Sequence, residues 1–397
     1  MGQFKTKNPA FLSATKFHDS DDFLLVSEFS AFGNGGVYVV PGVKDAVADS
    51  AIKGLKSHKL NMGKFQWPNN VSVIPESVFG KDVRAIVVPD GFLVPGHADG
   101  GVYILTVDND DITKATANYT MTSNKDGYFY HMGEWIDMNM DGRLDFVTSK
   151  SNAKAGGGRL VWYEHPEGGL AEMPWTEHVI VNGPDVGITI DQDTYHPDIL
   201  VYAAQFFDES VNMYRVSRKG KGVVQSRVID DKTILSAYMP TIVNLNNKKG
   251  EMQLMVNNHE KDQKTNGVFA YTKPRNMWED EWPKSTLASG FKNAFSVFVP
   301  GMSPGFPYAM WPKVADEGKH PPHIVVAGDG DYTAHMLTRT DDLTYEMDTI
   351  KNEKGTVGAL CWSDLTGSGW NELWVPNYDK GYIELFKLSE APSVFMQ

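Results

Sequence analysis

The sequence has one cysteine, Cys361, almost no helical periodicity, and no apolar run near the roughly 20 residues a bilayer-crossing helix needs. With one thiol, an internal disulfide and a thiolate metal cluster are both excluded. Cations are in the minority too: 37 Lys and Arg stand against 50 Asp and Glu, a formal charge of −13. A nucleic-acid backbone is therefore disfavoured as a partner, and so is an anionic membrane. The only stretch suited to a short helix is Asp45 to Leu55. What the chain does have is apolar content of 41% with 12% aromatic, enough for a packed core and contrary to disorder. A monomer with a small-molecule or sugar ligand and no membrane insertion is expected.

The 397 residues could make two or three domains, but a repetitive all-β architecture can use them as one. A repeat is present. Its landmark is an apolar run ending in valine and followed by small or polar residues: FLLVS (Phe23 to Ser27), AIVVP (Ala85 to Pro89), DFVT (Asp145 to Thr148), ILVY (Ile199 to Tyr202), QLMVN (Gln253 to Asn257), HIVVA (His323 to Ala327) and ELWVP (Glu372 to Pro376). A polar or glycine-bearing loop and a further apolar strand follow, as in Gly36 to Val39 or Leu160 to Tyr163. The period is about 45 to 60 residues, the range of propeller blades. The spacing predicts a single all-β domain, a seven-bladed β-propeller of four-stranded antiparallel blades near 11–62, 63–123, 128–182, 184–230, 235–289, 292–350 and 355–388. The last unit lacks a fourth strand, and Gly2 to Phe11 could supply it, closing the ring and removing free sheet edges.

Between two predicted strands of the third unit, Asp137, Asn139, Asp141, Arg143 and Asp145 form an oxygen-rich loop turning at Gly142. Calcium accepts several carboxylate, amide and backbone oxygens in a flexible shell, so a structural Ca2+ is the expected cofactor, with no redox cofactor. Asp364 to Glu372 repeats the spacing with weaker ligands; around Asn244 and Asn246 the pattern is one residue longer and carries Lys248. At these residues the chain resembles the FG-GAP and VCBS repeat family, whose D-x-[DN]-x-D-G-x-x-D loop lies between the inner strands of a propeller blade, and Arg159 to Pro166 looks like the third strand and turn of many members. In style, Phe29 to Gly42 and Lys292 to Pro312 are similar to fungal propellers. That likeness points toward dehydrating or cyclising enzymes, such as the aldos-2-ulose dehydratase propeller and the hetero-Diels-Alderases of tropolone-sesquiterpenoid pathways, and also toward propeller lectins.

In such a ring the loops leaving the second strands gather with those entering the inner strands at the mouth of the central channel. Leaving residues are Glu28 and Phe29, Asp90 and Phe92, Lys150 and Asn152, Gln205 and Phe206, Asn258 and His259, Asp329 and Tyr332, and Asn377 and Tyr378. Trp67, Tyr130 with His131, Tyr238 and Phe295 enter on the same side. His131 or His259 is the candidate proton carrier, with Asp90, Glu28 or Asp329 orienting it and Lys150 stabilising an anion. Expected substrate contacts are Glu28, Phe29, Trp67, Tyr130, Asn258, Asp329, Tyr332, Asn377 and Tyr378, mixing aromatic plates with hydrogen-bonding groups. The seven leaving loops differ strongly, which favours one asymmetric site: an enzyme of dehydration or cyclisation type. A lectin or a polysaccharide or sugar lyase is the alternative, and an adhesion module the third class. Opening residues MGQFKTKNPAF lack the apolar core of a signal peptide, while Asn70-Val71-Ser72 and Asn118-Tyr119-Thr120 match the glycosylation sequon. A secreted or vesicular location is expected, with the cytoplasm left open.

Overall fold

The computed structural model describes residues 2–18, 20–30, 35–91, 99–122, 127–192, 197–220, 222–294 and 301–389. Their strands form seven four-stranded antiparallel sheets arranged as the blades of a ring. The second strands of blades 1 to 7 are Phe23–Glu28, Arg84–Asp90, Asp145–Ser151, Asp198–Gln205, Gln253–Asn258, His323–Ala327 and Glu372–Asn377. They are apolar along their length because both faces of a blade are covered by neighbours. In blade 1, Phe23 and Leu25 pack toward blade 2 with Ile86 and Val88, while Leu24 and Val26 pack toward blade 7 with Trp374 and Leu385. Outer strands such as Thr176–Asn182 and Gly222–Asp230 carry the exposed polar positions.

The ring closes through the chain's two ends. Gly2–Lys5 pairs antiparallel with Tyr382–Lys387 and becomes the outer strand of blade 7, with Phe4 buried beside Trp374 at 6.4 Å. This strand is shorter than the sequence suggested: Pro9–Thr15 already serves as the inner strand of blade 1. The expected helix is split into Val43–Ala48 and a single tight turn, Ile52–Gly54, and a short helix at Glu76–Phe79 was not foreseen.

Three inner strands carry β-bulges: between Pro9 and Phe11, between Tyr130 and Gly133, and between Ala237 and Pro240. Proline cannot donate to the ladder, and a Cβ on Gly133 would lie 2.3 Å from the Phe146 ring, so these residues mark where pairing slips. A bulge bends a strand and re-aims its side chains. At these bulges Phe11, His131 and Tyr238 turn into the axis of the ring, where they form a cluster with Phe129, Val186, Phe206 and Phe306.

Candidate functional site

The floor of the channel is aromatic. His131 is fully buried, with ring centroids 5.8 Å from Phe11, 5.6 Å from Phe306 and 5.3 Å from Tyr238, and its Nε2 lies 3.1 Å from the Tyr238 hydroxyl. Burial, reinforced by His259, pushes this imidazole down to about 3. Burial on this scale disfavours the imidazolium, and His131 sits in the floor against Tyr238.

Above the floor lies His259, just after the second strand of blade 5, stacked on Tyr238 with centroids 5.0 Å apart and planes 24° apart. Its Nδ1 is 3.0 Å from the Pro304 carbonyl; a carbonyl only accepts, so Nδ1 carries the proton and Nε2 is free to exchange one. Nε2 faces Asp329 Oδ2 at 3.7 Å, too long for a direct hydrogen bond and short enough for strong coupling. Asp329 is fixed by a left-handed turn (φ 51°), its N–H donating to Val357 O at 3.2 Å and its carbonyl accepting from Tyr332 N at 3.0 Å. The neighbouring Gly330 allows this path, since a Cβ there would lie 2.8 Å from the Met302 carbonyl oxygen. Burial raises the Asp329 carboxyl; His259 opposes the rise and Asp379 adds to it. An imidazole Nε2 facing a carboxyl of raised pKa is an arrangement in which one proton can pass between two groups.

Phe29, Trp67, Tyr332 and Tyr378 stand half-buried. Phe29 and Tyr378 pack against the axial cluster, and Phe29 and Trp67 stack face to face at 5.1 Å and 4°, so one face of Trp67 is covered by the protein rather than open to a sugar. The tyrosine phenols are raised by burial and by nearby acids: Asp379 and Asp329 for Tyr332, Asp379 and Glu28 for Tyr378.

Other expected site residues are engaged elsewhere. Glu28 is fully buried and holds Lys7, Lys59 and the Tyr38 hydroxyl, the last at 2.6 Å. Lys150 points into the layer between blades 2 and 3, bonded to both Glu177 oxygens at 2.8 and 2.7 Å. Tyr130 lies in the same layer, 2.9 Å from the Tyr163 hydroxyl. Asn258 ties its own hairpin through Thr265 O and Gly267 N, and Asn377 braces Glu353 O and Lys380 N. Asp90 is 2% exposed and accepts from Gln66 N at 3.1 and 3.0 Å, further N–H groups coming from Trp67 and Gly91. These polar groups complete strand ends, a demand of buried backbone that the repeat pattern could not separate from ligand binding. Phe92 and Phe295 lie outside the described residues. Sequence reasoning missed Phe11, Phe306 and Asp379; Pro9 and Pro307 close to the first two were the available signal.

At the opposite end of blade 3 the acidic loop is closed by its own hydrogen bonds. Asp137 accepts from the N–H groups of Asp141 (3.1 Å) and Gly142 (2.9 Å), and Asp145 from Met138 (2.7 Å) and His165 (2.8 Å). Asn139 bonds Asp141 and Glu164, while the Arg143 guanidinium sits on Asp141. The Arg143 side chain is thus a competitor for a metal. Among the described residues no three His, Cys, Asp or Glu are grouped to hold a metal ion. The loop does concentrate charge: burial, together with Asp141 and Asp137, pushes the Asp145 carboxyl up to about 7.

No family model matches the chain, and no curated protein does. Solved structures do. The periplasmic gluconolactonase PpgL of Pseudomonas aeruginosa superposes with a TM-score of 0.57 at 12% identity, over 94% of each chain. Hydrazine synthase of Kuenenia stuttgartiensis gives 0.54 at 12% identity over 97% of each. The Dos1 propeller gives 0.50 at 12% identity over 94% of this chain and 77% of its own. At such identity the likeness establishes the propeller and leaves chemistry to the site.

Proposed function

We propose that this chain is a small-molecule enzyme of dehydration or cyclisation type, working by proton transfer at the mouth of the central channel. His259 Nε2 takes or gives the proton, Asp329 shares it, and the aromatic floor of Phe11, Phe306 and Tyr238 excludes water and positions the reacting atoms. The observation that carries this reading is the His259–Asp329 pair stacked over Tyr238, one asymmetric constellation rather than a site repeated around the ring. The enzymatic names of two matched propellers, a gluconolactonase and hydrazine synthase, are compatible with it.

The test compares wild type with His259→Gln and Asp329→Asn on β-hydroxy carbonyl substrates, which dehydrate by loss of an acidic proton, and on gluconolactone. A general acid/base pair predicts a loss of roughly 10²- to 10⁴-fold in turnover with the fold intact. Turnover unchanged in both variants would remove the pair from the mechanism.

The same proposal includes Ca2+ as a brace of the Asp137 to Asp145 loop. Its support is the crowding of the Asp137, Asp141 and Asp145 charges, which a divalent cation would relieve. Chelation should lower the melting temperature and added calcium restore it; a melting curve indifferent to both refutes the brace.

A further inference from the structure

The channel mouth has a sign of charge as well as a shape. Asp329 keeps 36% of its side chain exposed, and its one ionic neighbour among the described residues is His259. Asp379, on the exposed turn after the second strand of blade 7, accepts from Thr356 at 2.7 and 3.0 Å and forms no ion pair among the described residues. The field of these acids reaches the phenols: Asp329 acts on Tyr238, both acids on Tyr332, and Asp379 on Tyr378. Four lysines among the described residues are engaged elsewhere. Lys7 and Lys59 serve Glu28, Lys150 serves Glu177, and Lys380 donates to the Glu353 carbonyl.

Carboxyl groups and aromatic faces attract the same kind of guest, because the face of a ring carries the negative part of its quadrupole. A phosphorylated or carboxylated ligand would meet two acids and several ring faces, while Lys7, Lys59, Lys150 and Lys380 are held by other groups. We propose that the mouth of the channel takes an organic cation, a protonated or quaternary amine or the portion of a substrate that gains positive charge as it reacts, held by Asp329 and the rings of Tyr332, Tyr378 and Phe29. The proposal rests on reading this channel as the small-molecule site, and it adds the charge of what enters. Positive charge developing in a transition state would be stabilised by the same groups, which suits proton-driven loss of water or ring closure.

The experiment uses the full chain and three probes of one shape: benzyltrimethylammonium, its uncharged carbon isostere neopentylbenzene, and phenylacetate. Calorimetry at low salt and pH 8 should show the cation binding at least tenfold more tightly than the isostere, with phenylacetate weakest. Asp329→Asn should reduce cation affinity about tenfold and leave the isostere unchanged. Raising sodium chloride from 20 to 300 mM should weaken the cation alone, a measurement that needs no variant. If cation and isostere bind equally, and both are lost in Tyr378→Ala, the charge assignment is overturned and the channel reading stands. If no probe binds, both fall.

Discussion

The loop joining the first two strands of blade 3 has counterparts in blades 5 and 7 that make the same hydrogen bonds from different residues. Asp137, Asn244 and Asp364 each accept from the N–H four residues on, at 3.1, 3.1 and 2.9 Å. Asp145, Gln253 and Glu372 each accept from the residue after that first acceptor, at 2.7, 2.8 and 2.8 Å. Those donors, Met138, Leu245 and Leu365, are buried side chains. In blade 5 the two backbone acceptors are amide oxygens, braced by Glu251, which accepts from Asn246 and Gln253. At the other end of the blades the clamps vary more: Ser27 accepts from Phe11, Asp90 from Gln66, Asp185 from Phe206 and Phe207, Asn257 from Met239, and Asp379 from Thr356. There the clamp recurs while the side chain it aims changes from blade to blade. The repeat preserves acceptors for the backbone, while the side chains presented at the channel mouth differ from blade to blade.

The largest expected effect tests the shared loop geometry. Met138→Ala and Leu245→Ala each remove a fully buried side chain from equivalent positions, and each should cost about 2–5 kcal/mol. Denaturant unfolding measures this; costs that differ by several kcal/mol would break the equivalence of the two loops.

Next comes the clamp at the mouth. Burial raises the Asp90 carboxyl from 3.8 to about 7, against the opposing N–H groups of Gln66, Trp67 and Gly91. A raised folded-state pKa means the group's contribution is complete below 3.8 and is lost as pH rises through about 7. Asp90→Asn keeps an acceptor, as Asn257 does in blade 5, and removes the titration. The variant should gain stability relative to wild type between pH 4 and 8, on the order of 1–3 kcal/mol. Parallel pH–stability profiles would show that the two clamp types are interchangeable.

The blades were legible because their cause is written locally. Phe23 to Ser27 and its six counterparts are apolar at successive positions, the pattern of a strand buried on both faces. The ring closure was legible from a strand missing at the end of the chain. Of the candidate site, the sequence marked His259 and Asp329 by chemistry and position, and the structure brings them to 3.7 Å. His131 and Lys150 stand beside the same strand ends, yet a bulge at Tyr130 to Gly133 sends His131 into the axis, and Glu177, on the outer strand, draws Lys150 into a blade layer. Both outcomes depend on three-dimensional partners that a spacing rule does not contain.

The smallest effect concerns charge on the loop face, and its sign depends on calcium. Asp137→Asn gives blade 3 the first acceptor of blade 5, keeping the bond from Asp141 N–H and losing the one from Gly142 N–H, because an amide has a single acceptor oxygen. Without divalent ions the change relieves repulsion around Asp145, where Asp141 and Asp137 both raise the carboxyl, against the lost bond from the exposed Gly142 N–H, and should leave stability within about 1 kcal/mol of wild type. In millimolar calcium wild type should gain stability through a bound ion and the variant should gain less, because a carboxylate ligand is gone. Two melting curves for each protein decide it. A variant that gains as much from calcium as wild type would place the ion away from Asp137, and blade 3 would then hold its loop as blade 5 does, by hydrogen bonds to the backbone.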